Sequence, residues 1–137
     1  MSKILGVGID IVKISRFDRL LNSKNVNGSS FVLRLATRLL NEKHEYGRFL
    51  KLRESRNIGN EAKYLAGAWA TKEALFKCLD PEDQKAFEFR QWYRFYDERG
   101  KPHVQCDSYN KDNEQFHLSI SHDEDHLIAY VLREETK

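Results

Sequence analysis

The chain has 137 residues and carries 23 basic against 21 acidic side chains, a net charge of +2. That length suits one α+β domain over residues 1–137 with a core of its own, the near-balanced charge does not call for nucleic acid, and no apolar run approaches a membrane span. Cys78 and Cys106 are too few and too far apart for a metal motif or a disulfide framework, so a reducing compartment is expected.

Ile4–Val12 (Ile-Leu-Gly-Val-Gly-Ile-Asp-Ile-Val) alternates as a strand does. Leu5, Val7, Ile9 and Ile11 fall on the face expected to pack on a core, and Gly6, Gly8 and Asp10 share the other. Glycine weakens a strand interior, so two of them aligned with a carboxylate imply that a ligand or another backbone comes close; a capping Asp, or glycines that admit a helix, is the plainer alternative. Ser15 is placed to cap a short helix through about Leu21. Asn22–Ser30 is a loop by composition, Phe31–Leu40 has a helical period, and Asn41 is expected to cap a helix to about Leu52. After the polar loop Arg53–Asn60, Asn60 caps the longest helix, Glu61–Leu79, which Asp80-Pro81 ends. Phe89–Tyr96 alternates, with Phe89, Tyr93 and Phe95 opposite Trp92 and Tyr96. Asp97–Pro102 turns the chain into a strand at His103–Cys106, and Asn110–Glu114 is another loop. Phe116–Ser121 and Leu127–Leu132 form a hairpin around His122–Asp125, and helices followed by antiparallel strands give an α+β class.

On the long helix, Trp69–Lys77 reads Trp-Ala-Thr-Lys-Glu-Ala-Leu-Phe-Lys. Glu73 and Lys77 fall one turn apart on one face, a carboxylate and an amine aimed at one place, while Ala66, Gly67, Ala70 and Ala74 leave room for approach. Glu and Lys four apart also describe an ordinary solvated helix face, so the spacing alone decides nothing. Trp69 and Phe76 share the helical period of Leu65, Lys72, Leu75 and Leu79 and are expected in the core, not as a stacking platform for bases. His122 closes its strand at a polar turn, where it could face a ligand or simply be solvated.

Taken in order, Gly8-Ile9-Asp10, Trp69–Lys77, Gly100-Lys101-Pro102 and Ser119-Ile120-Ser121-His122 resemble the signature of the 4′-phosphopantetheinyl transferases, in the short holo-acyl-carrier-protein synthase type. The resemblance spans nearly the whole chain. It implies an antiparallel sheet packed on a long helix, and a homotrimer with sites between neighbouring chains. It also implies transfer of the 4′-phosphopantetheine arm of coenzyme A to a serine of an apo-acyl-carrier protein, for fatty acid synthesis, with adenosine 3′,5′-bisphosphate as the other product. Asp10 and Glu73 are then the ligands of Mg²⁺, Glu73 and Lys77 the catalytic pair, and Lys77, Gly100, Lys101, Pro102 and His122 the coenzyme A contacts. Many members carry an arginine where this chain has Ala68, a departure that bears on that arginine's substrate contact and not on the metal ligands.

Carrier proteins of this type are acidic around the modified serine. Arg16 and Arg19, three apart on one side of the first helix, together with Arg38, are expected to dock them; solvated surface arginines are the plainer alternative. No nucleic-acid or membrane partner is expected. With no secretory pattern at the N-terminus, the expected compartment is the mitochondrial matrix in a eukaryote and the cytoplasm otherwise. The rival readings are a nucleotide- or nucleic-acid-binding module that uses the basic first half and the aromatic strand Trp92–Tyr96, and a non-catalytic subunit that only binds a carrier protein.

Overall fold

The computed structural model describes residues 2–22, 28–109 and 111–136. It runs from strand β1 (Lys3–Lys13) through helices α1 (Ile14–Leu21), α2 (Gly28–Leu39), α3 (Tyr46–Glu54), α4 (Ile58–Lys77) and α5 (Pro81–Lys85). Strands β2 (Trp92–Tyr96), β3 (Pro102–Cys106), β4 (Glu114–Asp123) and β5 (His126–Glu135) follow, so the class is α+β. An antiparallel sheet has the order β1-β5-β4, and β2 pairs with β3 in a second sheet whose β3 packs alongside β4.

Helix α4 crosses the inner face of the larger sheet. Its Ala62, Leu65, Ala66, Ala70, Ala74 and Leu75 are buried with Val12, Leu127, Ala129 and Val131 of the strands and Phe17, Leu39 and Phe49 of the other helices. Each large apolar side chain so buried contributes about 1.5–3 kcal/mol. The far end of the helix is tied down by the buried Arg133, which donates to Cys78 O at 3.1 Å, to both oxygens of Asp80 at 3.1 and 3.0 Å, and to both of Glu114 at 2.7 and 3.2 Å.

The alternation of β1 holds, but its faces are reversed from the expectation. Gly6 and Gly8 face α4: a Cβ on Gly8 would run into the Ala74 carbonyl, and one on Gly6 would lie 2.5 Å from the Cys78 carbonyl oxygen. The backbone that comes close is therefore the helix's own. Val7, Ile9 and Ile11 point outward, 52%, 56% and 58% exposed. Across the sheet Ile9 opposes Tyr130 and Ile11 opposes Ile128, both also exposed, and Leu5 sits at a break in register. A two-residue period says which side chains share a face; it does not say which face is covered.

Three caps differ from expectation as well. Lys13 holds the N-cap position of α1, and the acceptors come from Asp125 in the β4–β5 turn: its carbonyl takes Ile14 N–H at 2.7 Å and its Oδ1 takes Ser15 N–H at 2.8 Å. Asn41 caps a turn, accepting from Lys43 N and His44 N, and α3 begins only at Tyr46. Asn57 rather than Asn60 caps α4, accepting from Asn60 N at 3.1 Å. The expected loop Asn22–Ser30 gives way to helix at Gly28, and residues 23–27 lie outside the described residues. Phe89–Gln91 is a short 3₁₀ turn, so the strand begins at Trp92. Its first three residues are all buried, because Trp92 packs on Tyr109 and Phe116 while Tyr93 stacks on His44 from the other side, at 3.7 Å.

Candidate active site

Strand β1 and helix α4 bring Asp10, Glu73 and Lys77 together. Lys77 Nζ donates to Ile9 O at 2.7 Å and lies 3.3 Å from Asp10 Oδ1, clamping helix to strand. The other oxygen, Asp10 Oδ2, is buried and has no hydrogen-bond partner. Such an orphan acceptor is costly unless a ligand satisfies it. Glu73 is partly buried; burial raises its pKa first and the Asp10 carboxylate adds to this, with Lys77 and Arg16 offsetting part of the effect. Two carboxylates held against their own repulsion call for a cation. Among the described residues no group of three or more His, Cys, Asp or Glu converges, so the chain builds no all-protein cage. The donor set instead fits Mg²⁺, which takes one or two carboxylates and fills its shell with substrate phosphate oxygens and waters.

Arg16 lies beside this centre, its guanidinium 5.6 Å from the Trp69 ring and 5.9 Å from the Phe17 ring, and Trp69 in turn stacks on Phe89 at 5.3 Å. Trp69 is partly buried against the core, and Phe76 is partly buried against Phe87, 5.3 Å away. Arg19 is exposed on the same helix, and Arg38 is exposed on α2, which packs against α1.

The remaining residues expected to bind the donor lie elsewhere. Gly100, Lys101 and Pro102 form the β2–β3 turn, where Gly100 adopts φ +79°, a left-handed conformation that glycine takes without cost. Asp97 builds that turn: Oδ1 accepts from Arg99 N at 2.8 Å and Lys101 N at 3.0 Å, and Oδ2 lies 2.8 Å from His103 Nε2. His122, exposed near the end of β4, lines a cavity of about 760 Å³ with His44, Arg48, Lys63, Tyr64 and Arg94. Asp10 sits on one edge strand of the three-stranded sheet, and these groups lie at or beyond the other. Two strand spacings amount to about 10 Å. Within one chain the three carboxylate-and-amine residues therefore converge, and Gly100–Pro102 and His122 stay apart from them.

Sequence reasoning missed two features. Arg94 is 8% exposed, and its guanidinium lies against Gly67, 5.2 Å from the Tyr64 ring and 5.7 Å from the Tyr96 ring. Among the described residues no carboxylate forms an ion pair with it. The available signal was an arginine interrupting the aromatic run Trp-Tyr-Arg-Phe-Tyr. The second feature is a buried ion pair, Lys72 with Glu45, whose signal was a lysine on the apolar period of α4.

The model of the 4′-phosphopantetheinyl transferase superfamily matches residues 6–131. The chain belongs to that superfamily and is a transferase by class. Its relatives are more particular. It is similar to the mitochondrial holo-[acyl-carrier-protein] synthase of Eremothecium gossypii, at 31% identity over 94% of this chain and 78% of that protein. It is similar to the holo-[acyl-carrier-protein] synthase of Staphylococcus saprophyticus at 33% identity, over 96% of this chain and 98% of that protein. Among solved structures, the holo-(acyl-carrier-protein) synthase of Bacillus anthracis, in complex with CoA (3′,5′-ADP), aligns with a TM-score of 0.69 at 27% identity, covering 97% of this chain and 98% of that one. The fold implied by the sequence motifs is the fold observed.

Proposed function

We propose that the chain works as a holo-acyl-carrier-protein synthase, moving the 4′-phosphopantetheine arm of coenzyme A onto a serine of an apo-acyl-carrier protein that serves fatty acid synthesis. The observation that carries this reading is the Asp10–Glu73–Lys77 centre with its unpartnered Asp10 oxygen, in a chain of this superfamily. In the reaction the serine oxygen forms a bond to the pantetheine-side phosphorus of the donor pyrophosphate. The bond to the adenosine-side phosphate breaks, and adenosine 3′,5′-bisphosphate leaves. Glu73, made more basic by burial and by Asp10, accepts the serine proton directly or through one water. Asp10 and Glu73 would hold Mg²⁺, which would offset the negative charge on the pyrophosphate oxygens. Lys77 has two of its three donors engaged within the fold and one left to offset the charge on the leaving phosphate. Gly100, Lys101, Pro102 and His122 bind the rest of the donor; Arg94, a buried cation that pairs with no carboxylate among the described residues, lines the same cavity as His122.

The assembly is a homotrimer with shared sites. Two features support it: the groups expected to bind the donor lie at the opposite edge of the sheet from the carboxylates, and Val7, Ile9, Ile11, Ile128 and Tyr130 leave an apolar stripe uncovered. Arg16, Arg19 and Arg38 steer the acidic carrier protein to the carboxylate side. One transferase domain spans residues 1–137, and no nucleic acid takes part. Cys78 and Cys106 are free, and none of the described helices is long and apolar enough to cross a membrane. Relatives from a mitochondrion and from a bacterium support the matrix or the cytoplasm as the compartment.

Incubation with coenzyme A, Mg²⁺ and a set of apo-carrier proteins, followed by intact mass measurement, tests the reading. A carrier heavier by one phosphopantetheine is expected. Carrier binding without any mass gain would replace it with the non-catalytic subunit.

A further inference from the structure

The side chains of Glu45 and Lys72 are both 0% exposed, and neither takes part in the chemistry above. Lys72 precedes Glu73 on α4. Its Nζ donates to Glu45 Oε1 and to Leu39 O, each at 2.6 Å. Glu45 Oε1 also accepts from Asn41 N at 2.8 Å, and Oε2 accepts from Arg94 N at 2.9 Å. Its backbone oxygen accepts from Tyr64 OH at 3.2 Å. One residue of the α2–α3 connection thus joins the end of α2, two points on α4 and strand β2.

A buried ion pair seldom stabilises a fold more than an apolar pair of equal volume, so geometry is the more informative thing to ask of it. On the other side of α4 the helix lies on Gly6 and Gly8, whose missing side chains give a smooth contact with Ala74 and Cys78. Smooth surfaces interlock poorly, so the rotation of the helix is left to polar ties: Lys77 and Arg133 toward its C-terminal end, and Lys72 further back. Consecutive residues on a helix point about 100° apart. With Lys72 locked into the core, Glu73 is turned toward β1 and Asp10. The same carboxylate fixes the backbone of Arg94, whose guanidinium lies over Tyr64 beside the cavity of His122.

We propose that the Glu45–Lys72 couple is a positioning pair for the transfer reaction: it sets the rotation of α4 that turns Glu73 to Asp10, and it sets strand β2 where Arg94 meets the donor cavity. This rests on the reaction proposed above. Neither residue touches substrate; both act through Glu73 and Arg94.

The test compares Glu45→Gln, Lys72→Met and the double variant with wild type and with Lys111→Ala, which removes a surface ion pair to Asp83. The double variant leaves neither buried charge without its partner, so it folds where Lys72→Met alone does not. Thermal melts give the folded fraction, and steady-state kinetics give kcat per folded molecule and KM for each substrate. A displacement of about 1 Å at a reacting group costs about 10²-fold. The double variant is therefore expected to lose about 10²-fold in kcat, with Glu45→Gln smaller in the same direction and Lys111→Ala unchanged. The KM for the carrier protein should change less than kcat, since Arg19 contacts neither residue of the pair. Wild-type kcat per folded molecule in the double variant would overturn the proposal alone. An inactive wild type, tested with several carriers, would overturn the reaction and this proposal with it.

Discussion

Burial and the Asp10 carboxylate both push the Glu73 carboxyl up, so its ionised form works against the metal-free fold. Glu73→Gln removes one of two like charges. It is expected to leave the melting temperature of the metal-free protein equal to or above wild type while cutting transfer by about 10²–10⁴-fold, and Asp10→Asn should lose transfer to a similar extent. Melts with and without Mg²⁺, run beside turnover assays, check both. Near-wild-type turnover in saturating Mg²⁺ would argue against a two-carboxylate centre. Arg16 is a poor probe of docking because it lies over Trp69 and in the field of Glu73. Arg19, exposed one turn further on, is the better one. Arg19→Glu should raise the KM for the carrier protein and leave that for coenzyme A unchanged, and added salt should weaken wild type more than the variant, because exposed charges are screened over about 8–10 Å. A defect shared by both substrates would remove Arg19 from the docking surface.

At the scale of elements, α1 depends on a cap supplied from the other end of the chain. Hydrogen bonds from Ser15 hold the Asp125 carboxyl below its ordinary pKa, as the Arg133 guanidinium does for Asp80 and His103 does for Asp97. A carboxyl depressed in the folded state favours folding when ionised. Its contribution is complete above the unfolded value of about 3.9 and is lost as pH falls through the folded value. The denaturation midpoint should therefore fall progressively below about pH 4. Asp125→Ala should flatten part of that fall, lower the melting temperature at neutral pH and raise the KM for the carrier protein, since α1 carries Arg16 and Arg19. A circular-dichroism melt across pH decides it. Most of the order of elements was legible because period and punctuation are local properties, but α4 ends at Lys77, ahead of Asp80-Pro81, and Pro81 opens the short helix α5. The cap of α1 was not legible, because Ser15 met a better acceptor from a hairpin distant in sequence. The motif on α4 was legible for the same local reason, whereas Glu45 sits in a run, Asn-Glu-Lys-His-Glu, whose composition describes surface.

For the whole molecule, the informative surface is the outer face of β1 and β5. Val7, Ile9, Ile11, Ile128 and Tyr130 lie there uncovered. A contiguous apolar face of this kind is normally buried against another chain. Ile9→Asp should leave the isolated fold intact, because Ile9 packs on nothing within the chain's core, and should reduce the mass seen by light scattering to that of one chain. Transfer should fall with it if the site is completed by a neighbour. A variant that stays assembled and active would move the interface elsewhere. Which face of β1 is solvated was beyond reach of the sequence, because the answer depends on α4 lying across the glycines.

Gly8 has a consequence beyond packing. Its Cα meets the Ala74 carbonyl so closely that a single added carbon has nowhere to go. Two residues after Gly8 comes Asp10, and just before Ala74 comes Glu73, so the gap between the two carboxylates is gauged by an absent side chain. Gly8→Ala would wedge the helix off the strand and widen that gap. Mutational tolerance here should be lopsided: the variant should still fold, at reduced stability, yet bind Mg²⁺ far more weakly in calorimetry and turn over little. The strand and helix behave as the jaws of a caliper, and glycine is the only residue thin enough to let them close.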